Sequence, residues 1–296
     1  MKALVIGGTG PTGPYIVGGL VERGYQVSIL HRGTHEVELP AEVEHIHGDP
    51  HFVETLEEAL GKRTFDLVIA QYGRLRYIAE VMKGRTDFLI GIGGLPYKSI
   101  VDGFHTQAGA PVPIPEDAPL WEDESVKIVY LMTLTERAVM DAHREGSYRA
   151  TVLRYPLVYG PRQLSPNEWS IMRRILDGRK QLILPDNGLK LRVRGYAENM
   201  AHAVLLAVDQ PDKASGQIYN VGDAQVLTLR EWVCAIAREM NAELELVCIP
   251  FELARPSRPY AGRAHHEVTD IAKIKDELGY EDLVPAEEAL RRTVRW

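Results

Sequence analysis

The stretch Ala3-Leu4-Val5-Ile6-Gly7-Gly8-Thr9-Gly10-Pro11-Thr12-Gly13 joins a short apolar run to a turn with glycines at positions 7, 10 and 13. Pro14 follows and suits the first turn of a helix, where its missing N–H costs no hydrogen bond. A buried strand, a glycine turn and a helix N-terminus form a site for a diphosphate, because the backbone can approach the anion and the helix dipole attracts it. We therefore expect a dinucleotide to bind at Gly7, Thr9, Gly10, Pro11, Thr12 and Gly13.

The glycine spacing is G-x-x-G-x-x-G, whereas the commonest dinucleotide fingerprint is G-x-G-x-x-G. A glycine turn alone is weak evidence for a ligand. The strand before it, the helix after it and its position at the start of the sequence strengthen the interpretation. The alternative is a glycine-rich strand–helix connection that binds no ligand.

The composition is typical of a globular protein and excludes some partners. The chain has 296 residues, of which 45% are hydrophobic and 25% charged, so it can form one large α/β domain or a domain with a smaller lobe. A net charge of -7 without a basic block argues against nucleic acid as a partner. No apolar run approaches the roughly eighteen residues of a membrane span, and the sequence starts with a strand instead of a signal peptide. We expect no membrane partner and a cytoplasmic location.

The cysteines and histidines predict no metal site. Cys234 and Cys248 are the only cysteines, which favours a reducing compartment, and we expect both thiols to be buried. His265 and His266 have no partners at the spacing of metal ligands.

Predicted strands and helices alternate along the first 160 residues. The strands are 3–6, 27–30, 43–47, 65–70, 88–92 and 151–155, and the helices are 14–24, 52–60, 75–83 and 126–144, the last with Ser125 as a possible N-cap. This alternation predicts an α/β fold with a doubly wound parallel sheet.

The pattern changes after residue 161. We expect a helix at 168–176 with Trp169, Met172 and Ile175 or Leu176 on one face, a helix at 197–208, a last main-sheet strand at 218–221 and a capping box at Thr228 and Glu231. A strand at 244–249 and two terminal helices follow. We assign 1–160 plus 191–223 to a Rossmann domain and 161–190 plus 224–296 to a small substrate-binding lobe.

The end of the second strand indicates which cofactor is bound. This strand ends in His31-Arg32-Gly33. An acidic residue here would accept a hydrogen bond from the ribose 2′-hydroxyl of NAD, whereas a guanidinium pairs with the 2′-phosphate of NADP. We therefore expect His31 and Arg32 to contact the cofactor, and NADP to be preferred to NAD. The alternative is a solvated Arg32 at the start of a loop.

Further cofactor contacts are expected where other strands end. Asp49, after the third strand, either accepts a hydrogen bond from the adenine amino group or caps the following helix. Gln71 and Tyr72 follow the fourth strand, at the sheet edge where ligands of open parallel sheets bind. Tyr155 and Pro156 occupy the equivalent place at the end of the sixth strand.

Several segments, in their order and spacing, resemble one protein family over nearly the whole chain. They are Gly7-x-x-Gly10-x-x-Gly13, Gly48-Asp49, Arg154-Tyr-Pro-Leu-Val-Tyr159-Gly160-Pro161, Arg192-Val-Arg-Gly-Tyr196-Ala-Glu-Asn, Tyr219-Asn220-Val221-Gly222 and the closing segment 275–296. The chain resembles an extended or atypical short-chain dehydrogenase/reductase of the NAD-dependent epimerase/dehydratase type. The resemblance implies a nicotinamide cofactor, a small-molecule substrate and, in many members, a homodimer.

The resemblance implies three catalytic residues: a Tyr, a Lys four residues later on the same helical face, and a Ser or Thr after the fifth strand. This sequence departs from that set. Tyr130 matches the Tyr, but Leu134 stands at the Lys position and Gly93 at the Ser position. Tyr97 matches a family Tyr that is structural or faces the substrate. A free phenol has a pKa of about 10, so without a nearby cation it is a poor acid or base at neutral pH. Lys127 is a candidate replacement for the cation, although a solvated lysine is the simpler interpretation.

Other polar residues are candidates for substrate contacts. His105 lies in the long loop 93–125 and is either a substrate contact or an ordinary loop residue. Arg162, Arg192 and Arg194 are candidates for an anion pocket that would hold a phosphorylated or carboxylated substrate. For Arg194 a surface salt bridge is the default expectation.

Two hypotheses about function follow. The first is an NADP-dependent oxidoreductase or epimerase-type enzyme that acts on a small carbonyl, sugar-like or aromatic substrate, with Tyr130 as acid/base; a non-redox isomerase or lyase is a variant of it. The second is a non-catalytic NADP-binding sensor or scaffold, which the loss of two of three catalytic positions favours.

Overall fold

The computed structural model describes residues 1–35, 37–71, 74–102, 111–163, 166–254 and 266–296. Of the predicted site residues, Tyr72 and His105 lie outside these ranges, as does His265. The strands are β1 Lys2–Ile6, β2 Gln26–His31, β3 Glu44–His47, β4 Phe65–Gln71, β5 Thr86–Gly93, β6 Arg149–Arg154, β7 Leu157–Tyr159, β8 Gln181–Pro185, β9 Leu191–Arg192, β10 Arg194–Tyr196, β11 Ile218–Asn220, β12 Leu227–Thr228 and β13 Glu245–Ile249.

The helices connect these strands. They are α1 Gly13–Glu22, α2 Val53–Leu60, α3 Leu75–Val81, α4 Lys98–Asp102, α5 Lys127–Arg144, α6 Trp169–Leu176, α7 Ala197–Asp209, α8 Pro211–Ala214, α9 Leu229–Glu239, α10 Ala272–Leu278 and α11 Ala286–Arg295. Helix α9 begins with the predicted capping box between Thr228 and Glu231.

Seven strands form one parallel sheet in the order β11-β6-β5-β4-β1-β2-β3. One apolar core joins one face of the sheet to α1, α7 and α10, and a second core joins the other face to α2, α3 and α5. Apolar side chains line both faces, as expected for a parallel sheet covered by helices. The predicted doubly wound parallel sheet is confirmed.

Three two-stranded sheets lie outside the main sheet. They are β7 with β10, β8 with β13, and β9 with β12. A third apolar core packs α6, α9 and α11 against β8. Because β9 and β12 belong to different predicted domains, their pairing crosses the predicted boundary. The division of the chain into two domains remains a prediction.

The structure corrects two expectations about helix ends and faces. Val126 is the N-cap of α5, without a side-chain hydrogen bond, and the Ser125 N–H instead donates to the carboxylate of Asp123. Helix α6 buries Ile171, whereas Trp169 and Leu176 are exposed. Met172 and Ile175 of the predicted face pack against the third core as expected, but the face is centred nearer Ile171, which leaves Trp169 and Leu176 outside it.

The cysteines are also placed differently from the prediction. Cys234 and Cys248 are both free and exposed. Cys234 follows the buried Val233 on the outward side of α9. Cys248 lies in β13, which is covered only in part. The expectation of two buried thiols is wrong, because neither element is enclosed on both sides.

Candidate functional site

The glycine turn after β1 is built so that only glycine fits at two of its positions. Gly7 has a φ of +88°, and a Cβ on it would lie 2.7 Å from the main-chain oxygen of Gln71. A Cβ on Gly13 would lie 2.1 Å from the main-chain oxygen of Gly8. A Cβ on Gly10 would meet only the Gly7 oxygen, at 3.9 Å. The turn therefore packs tightly on its inner side and is open at Gly10.

The N-terminus of α1 has no side-chain cap. Thr12 is the N-cap residue, but its hydroxyl donates to the Gln71 side-chain oxygen at 2.5 Å instead of accepting a helix N–H. The Gln71 amide nitrogen is buried and has no hydrogen-bond partner among the described residues. An uncapped helix N-terminus beside an open glycine position suits a diphosphate. The geometry thus fits a dinucleotide, with Thr9 and Pro11 on the partly exposed side of the turn.

The end of β2 combines one buried and one exposed basic residue. His31 is 4% exposed, its Nε2 lies 3.1 Å from Nδ1 of His45, and the Gly33 N–H donates to its Nδ1. Arg32 is exposed. The guanidinium of Arg32 can therefore meet a ligand at the surface, whereas the His31 imidazole is already engaged inside the protein.

Asp49 makes a local turn contact. Its carboxylate accepts a hydrogen bond from the His51 N–H at 3.0 Å and lies 2.7 Å from His51 Nδ1. The His51 main-chain bond is the main cause that lowers the pKa of Asp49. Helix α2 starts after Phe52 without a side-chain cap, so Asp49 does not cap it.

A buried polar network joins the carboxyl ends of β5, β6 and β11. The Arg154 guanidinium, 2% exposed, makes a bidentate pair with the Glu136 carboxylate, with both N–O distances at 2.7 Å. Arg154 also donates to the Tyr97 hydroxyl at 2.6 Å, and that hydroxyl donates to the Asn220 side chain at 2.5 Å. Burial raises the pKa of Tyr97 to about 12, although Arg154 opposes this shift. Tyr97 was predicted to be either structural or a substrate contact, and its buried hydrogen bonds match the structural interpretation.

Tyr155 and Pro156 are also buried, directly after β6. The Tyr155 N–H donates to the Gly93 oxygen at 3.0 Å, and the Tyr155 hydroxyl donates to the Met200 oxygen at 2.7 Å. The first of these bonds holds the ends of β5 and β6 side by side, and the second ties them to α7.

Helix α5 turns different residues towards the end of β5 than the sequence suggested. Its buried residues are Thr133, Glu136, Val139 and Ala142, and a Cβ on Gly94 would lie 2.8 Å from the Met132 sulfur. Residues of an α-helix are about 100° apart, so Tyr130 projects about 200° away from Met132. Ile128, four residues before Met132, shares the face of Met132 and is 67% exposed. The structure therefore brings Ile128 and Met132, and not Tyr130, to the side of α5 that faces β5.

The predicted arginines lie at or near two cavities around β9 and β10. Arg192 lines both and pairs with Glu267 at 2.9 Å. Arg194 lines both as well, but it is only 8% exposed and no salt bridge involves it within the described part of the chain. The surface salt bridge expected for Arg194 is wrong, because the Trp232 ring covers its guanidinium at 4.4 Å. Arg162 has a φ of +65° and is partly exposed.

Within the described ranges, no three His, Cys, Asp or Glu side chains are grouped so that they could hold a metal ion. In those ranges, no helix combines the length and apolar character of a membrane span.

Comparison with known proteins finds a family match over part of the chain. Residues 132–222, less than half of the chain, match the model of the NAD dependent epimerase/dehydratase family. The chain is similar to this family over that region. The match agrees with the resemblance predicted from the motifs, and the matched region includes Glu136, Arg154 and Asn220 of the buried network.

Two curated relatives match this chain over most of its length. The 2-alkyl-3-oxoalkanoate reductase of Stenotrophomonas maltophilia is 29% identical over 274 residues, which cover 86% of this chain and 80% of the reductase. The chloroplast stem-loop binding protein of 41 kDa b of Arabidopsis thaliana is 24% identical over 301 residues, which cover 94% of this chain and 74% of that protein. The matches to two further curated relatives span 50% and 54% of those proteins, about half their length.

The solved structures support the fold. The UDP-glucose 4-epimerase of Thermus thermophilus in complex with NAD is 24% identical and has a TM-score of 0.77, with 100% of this chain and 98% of that chain covered. This similarity concerns the arrangement of the sheet and helices.

The sequence interpretation missed Glu136 and the face of α5 that carries it. A charged residue in an amphipathic helix is usually solvated, so the sequence gives little reason to single out Glu136. The available signal was its spacing of three residues from Thr133 and Val139, which puts it on the buried face.

Proposed function

We propose that this protein binds a nicotinamide dinucleotide and is an oxidoreductase of the epimerase/dehydratase type that acts on a small carbonyl, sugar-like or aromatic substrate. The observation that carries the proposal is the glycine turn after β1, which is packed at Gly7 and Gly13, open at Gly10 and followed by an uncapped helix. The NAD in the solved Thermus epimerase and the reductase among the relatives support it.

NADP is the preferred cofactor in this proposal. Arg32 is exposed at the end of β2, where a guanidinium can pair with a 2′-phosphate. Asp49, Gln71, Tyr72, Tyr155 and Pro156 remain predicted cofactor contacts. Gly93, Tyr97, His105, Arg162 and Arg192 remain predicted substrate contacts.

The bound cofactor supplies hydride transfer, and the chain supplies binding and orientation. The Gln71 amide nitrogen, which is buried and has no partner among the described residues, supports the proposed hydrogen bond from Gln71 to a ligand at the turn. At the end of β5 the described part of the chain holds Gly93, Met132 and, on the same helix face as Met132, Ile128. None of these three side chains transfers a proton, so a proton that accompanies reduction comes from another group, from water or from the substrate itself.

The proposal is tested with the purified full chain. NADPH fluorescence is titrated with protein, and NADPH oxidation is then followed over a panel of ketones, quinones and nucleotide sugars. We expect saturable binding and turnover on one class. If NADPH and NADH both fail to bind, the proposal is wrong.

Tyr130→Phe tests the proton donor. Because Tyr130 projects away from the face that carries Met132, we expect the variant to keep at least about half of the wild-type kcat, whereas loss of a positioned acid/base costs roughly 10²–10⁴ in rate. Tyr25→Phe, directly before β2, is the control. A drop of a hundredfold in kcat for Tyr130→Phe alone would establish Tyr130 as the acid/base.

The second candidate is a non-catalytic NADP-binding sensor or scaffold. Two observations favour it: apolar or glycine residues occupy the catalytic positions, and the stem-loop binding protein of Arabidopsis matches 94% of the chain. Tight NADPH binding without turnover on any substrate of the panel would select this candidate.

A further inference from the structure

A cavity of about 380 Å³ lies between α9, α11 and the β9–β10 segment. This volume lies within the range of small-molecule pockets, roughly 300–1,000 Å³. Apart from Arg192 and Arg194, none of the predicted cofactor, substrate or acid/base residues lines it among the residues that the structure describes. The cavity therefore shares two candidate anion contacts with the predicted substrate site but includes no described residue of the glycine turn or of the end of β5.

Arg194 is the residue that marks this cavity as a ligand site. Its side chain is only 8% exposed, and its Nε is buried without a hydrogen-bond partner in the described part of the chain. One terminal nitrogen donates to the Arg192 main-chain oxygen at 3.1 Å, and the guanidinium stacks on Trp232. Burial lowers the pKa of Arg194 to about 10, so it stays charged at neutral pH. A buried cation with an unused donor is costly unless an anion joins it.

Three carboxylates of the described residues line the cavity, those of Asp223, Glu231 and Glu287, and the first two are already engaged elsewhere. Asp223 accepts hydrogen bonds from the Tyr196 N–H at 2.9 Å and from the Asn199 side chain at 3.3 Å. Glu231 accepts from the N–H and the hydroxyl of Thr228 in the capping box. Asp223 and Glu231 are used to fix the backbone, and Glu287 is exposed and forms no ion pair with Arg194 in the described part of the chain, so none of the three neutralises Arg194 directly.

Glu168 is the other acid near Arg194, and it lies in the smaller neighbouring cavity. Its side chain is 1% exposed, and burial raises its pKa, which disfavours the charged form. Glu168 therefore balances the charge of Arg194 only in part, and it does not line the larger cavity.

The rest of the wall is largely apolar. Leu227, Ala235, Leu290 and the Trp232 ring line the cavity, and Arg230 and Arg238 add positive charge. An anion without an apolar part would leave this surface in contact with water, whereas a hydrocarbon chain would cover it.

We propose that this cavity binds a small amphipathic carboxylate, whose carboxylate pairs with Arg194 and whose hydrocarbon part lies against Leu227, Ala235 and Leu290. A planar carboxylate can accept two hydrogen bonds from one guanidinium, which is the geometry that favours arginine at such sites. The proposal does not depend on nicotinamide binding or on catalysis.

Calorimetry with the full chain tests the proposal, with octanoate as probe and octanamide and inorganic phosphate as comparisons. We expect octanoate to bind with 1:1 stoichiometry and at least about tenfold more tightly than octanamide, because the amide lacks the charge that Arg194 needs. Phosphate should bind more weakly than octanoate, because it leaves the apolar wall uncovered.

Two variants assign the site. Arg194→Met removes the charge, and Ala235→Phe fills the cavity from α9. Each substitution should lower the affinity for octanoate at least about tenfold. Arg179→Met and Ala272→Phe change exposed residues outside the cavity and should bind octanoate as the wild type does.

Circular dichroism first establishes that each variant is folded. If Arg194→Met does not fold, Ala235→Phe decides the result alone. Unchanged octanoate affinity in the folded variants, equal affinity for octanamide, tighter binding of phosphate, or no octanoate binding would each overturn the proposal. NADPH titration of the same variants distinguishes failure of this proposal from failure of the proposed function, because the NADPH affinity of the variants should not change.

Discussion

The glycine turn after β1 and the region where β5 meets α5 lie at the same edge of one sheet. They differ in how well each matches the site that the family resemblance implies. The turn keeps the backbone geometry that suits a dinucleotide, with Gly7 and Gly13 in places where a Cβ would clash. The second region holds Gly93, Ile128 and Met132, none of which carries a side chain that can transfer a proton. A cofactor site that depends on backbone shape is tied to the fold, whereas a catalytic site depends on a few side chains that can change without altering the fold.

The second region is held together by a different set of residues. Arg154, Glu136, Tyr97 and Asn220 join the ends of three strands, the long loop and α5. This network keeps the sheet edge in shape whether or not the region is catalytic. We therefore predict that the stability of the protein depends on this network and that nucleotide binding depends on the glycine turn. Turnover should depend on neither Tyr130 nor Leu134.

The largest effect is expected from Glu136→Gln. The substitution leaves the buried Arg154 charge without its carboxylate, which should lower the free energy of unfolding by about 3–5 kcal/mol. Urea denaturation measures it. The control is Glu122→Gln, which breaks the exposed ion pair with Arg137 near the same helix and should change stability little. Equal effects of the two substitutions would contradict a structural network.

Gly13→Ala should have the next largest effect. Its Cβ would lie 2.1 Å from the Gly8 oxygen, so the turn must shift, at a cost of about 1–3 kcal/mol, and NADPH affinity should fall with it. Gly18→Ala, in the same helix, meets no atom within 4 Å and should stabilise the protein by roughly 0.5–1 kcal/mol. Urea denaturation and NADPH titration measure both. If Gly13→Ala binds NADPH as well as the wild type does, the turn is not the nucleotide site.

A third prediction tests which face of α5 serves the site. Gly93→Ser, Ile128→Tyr and Met132→Lys together should raise kcat/KM at least about tenfold, which is part of the 10²–10⁴ of a positioned acid/base. Position 93 has room for a side chain, since a Cβ on Gly93 meets its nearest atom, on Val152, at 4.0 Å. The measurement is NADPH oxidation with the best substrate of the panel.

The matched control uses the other face of the helix. Gly93→Ser with Leu134→Lys completes the Tyr–Lys spacing around Tyr130 and should leave kcat/KM unchanged. If this control gains activity and the triple variant does not, our assignment of the face is wrong and Tyr130 is the acid/base.

The smallest effect concerns the cofactor's 2′-phosphate. Arg32→Ala should lower the affinity for NADP about fivefold and the affinity for NAD less than about twofold. The effect on NADP is modest because an exposed charge pair is partly screened by solvent. Arg179→Ala, another exposed arginine, should change neither affinity. Calorimetry at low ionic strength measures both cofactors. Equal weakening of NADP and NAD would contradict the contact between Arg32 and the 2′-phosphate.

Much of the fold could be predicted from local patterns. The apolar runs of β1, β4 and β5, the glycine turn and the Thr228–Glu231 capping box depend on residues close in sequence, and the structure contains them all. Two predictions about helices, the N-cap of α5 and the buried face of α6, were wrong in part, because packing against neighbouring elements decides these features. Trp169 was expected to be buried because its spacing suits a helix face, but the face that meets the third core carries Ile171.

The candidate site was predictable only in part. Its cofactor half follows one continuous stretch of sequence, and the structure gives that stretch the expected shape. Its catalytic half depends on which way α5 is turned, and a motif of Tyr and a residue four positions later does not specify that rotation. Arg194 shows the same limit, since nothing in its sequence neighbourhood indicates that the distant Trp232 covers it.

The sequence by itself determined the family resemblance, the parallel sheet and the place of the glycine turn, because strand periodicity, glycine positions and motif spacing act over short distances along the chain. Only the tertiary structure decided that Glu136 is buried against Arg154, that Ile128 and Met132 face β5, and that Arg194 lies beside a cavity without a salt bridge to any described carboxylate. These features arise where elements distant in sequence pack together, and their burial and charge balance exist only after that packing.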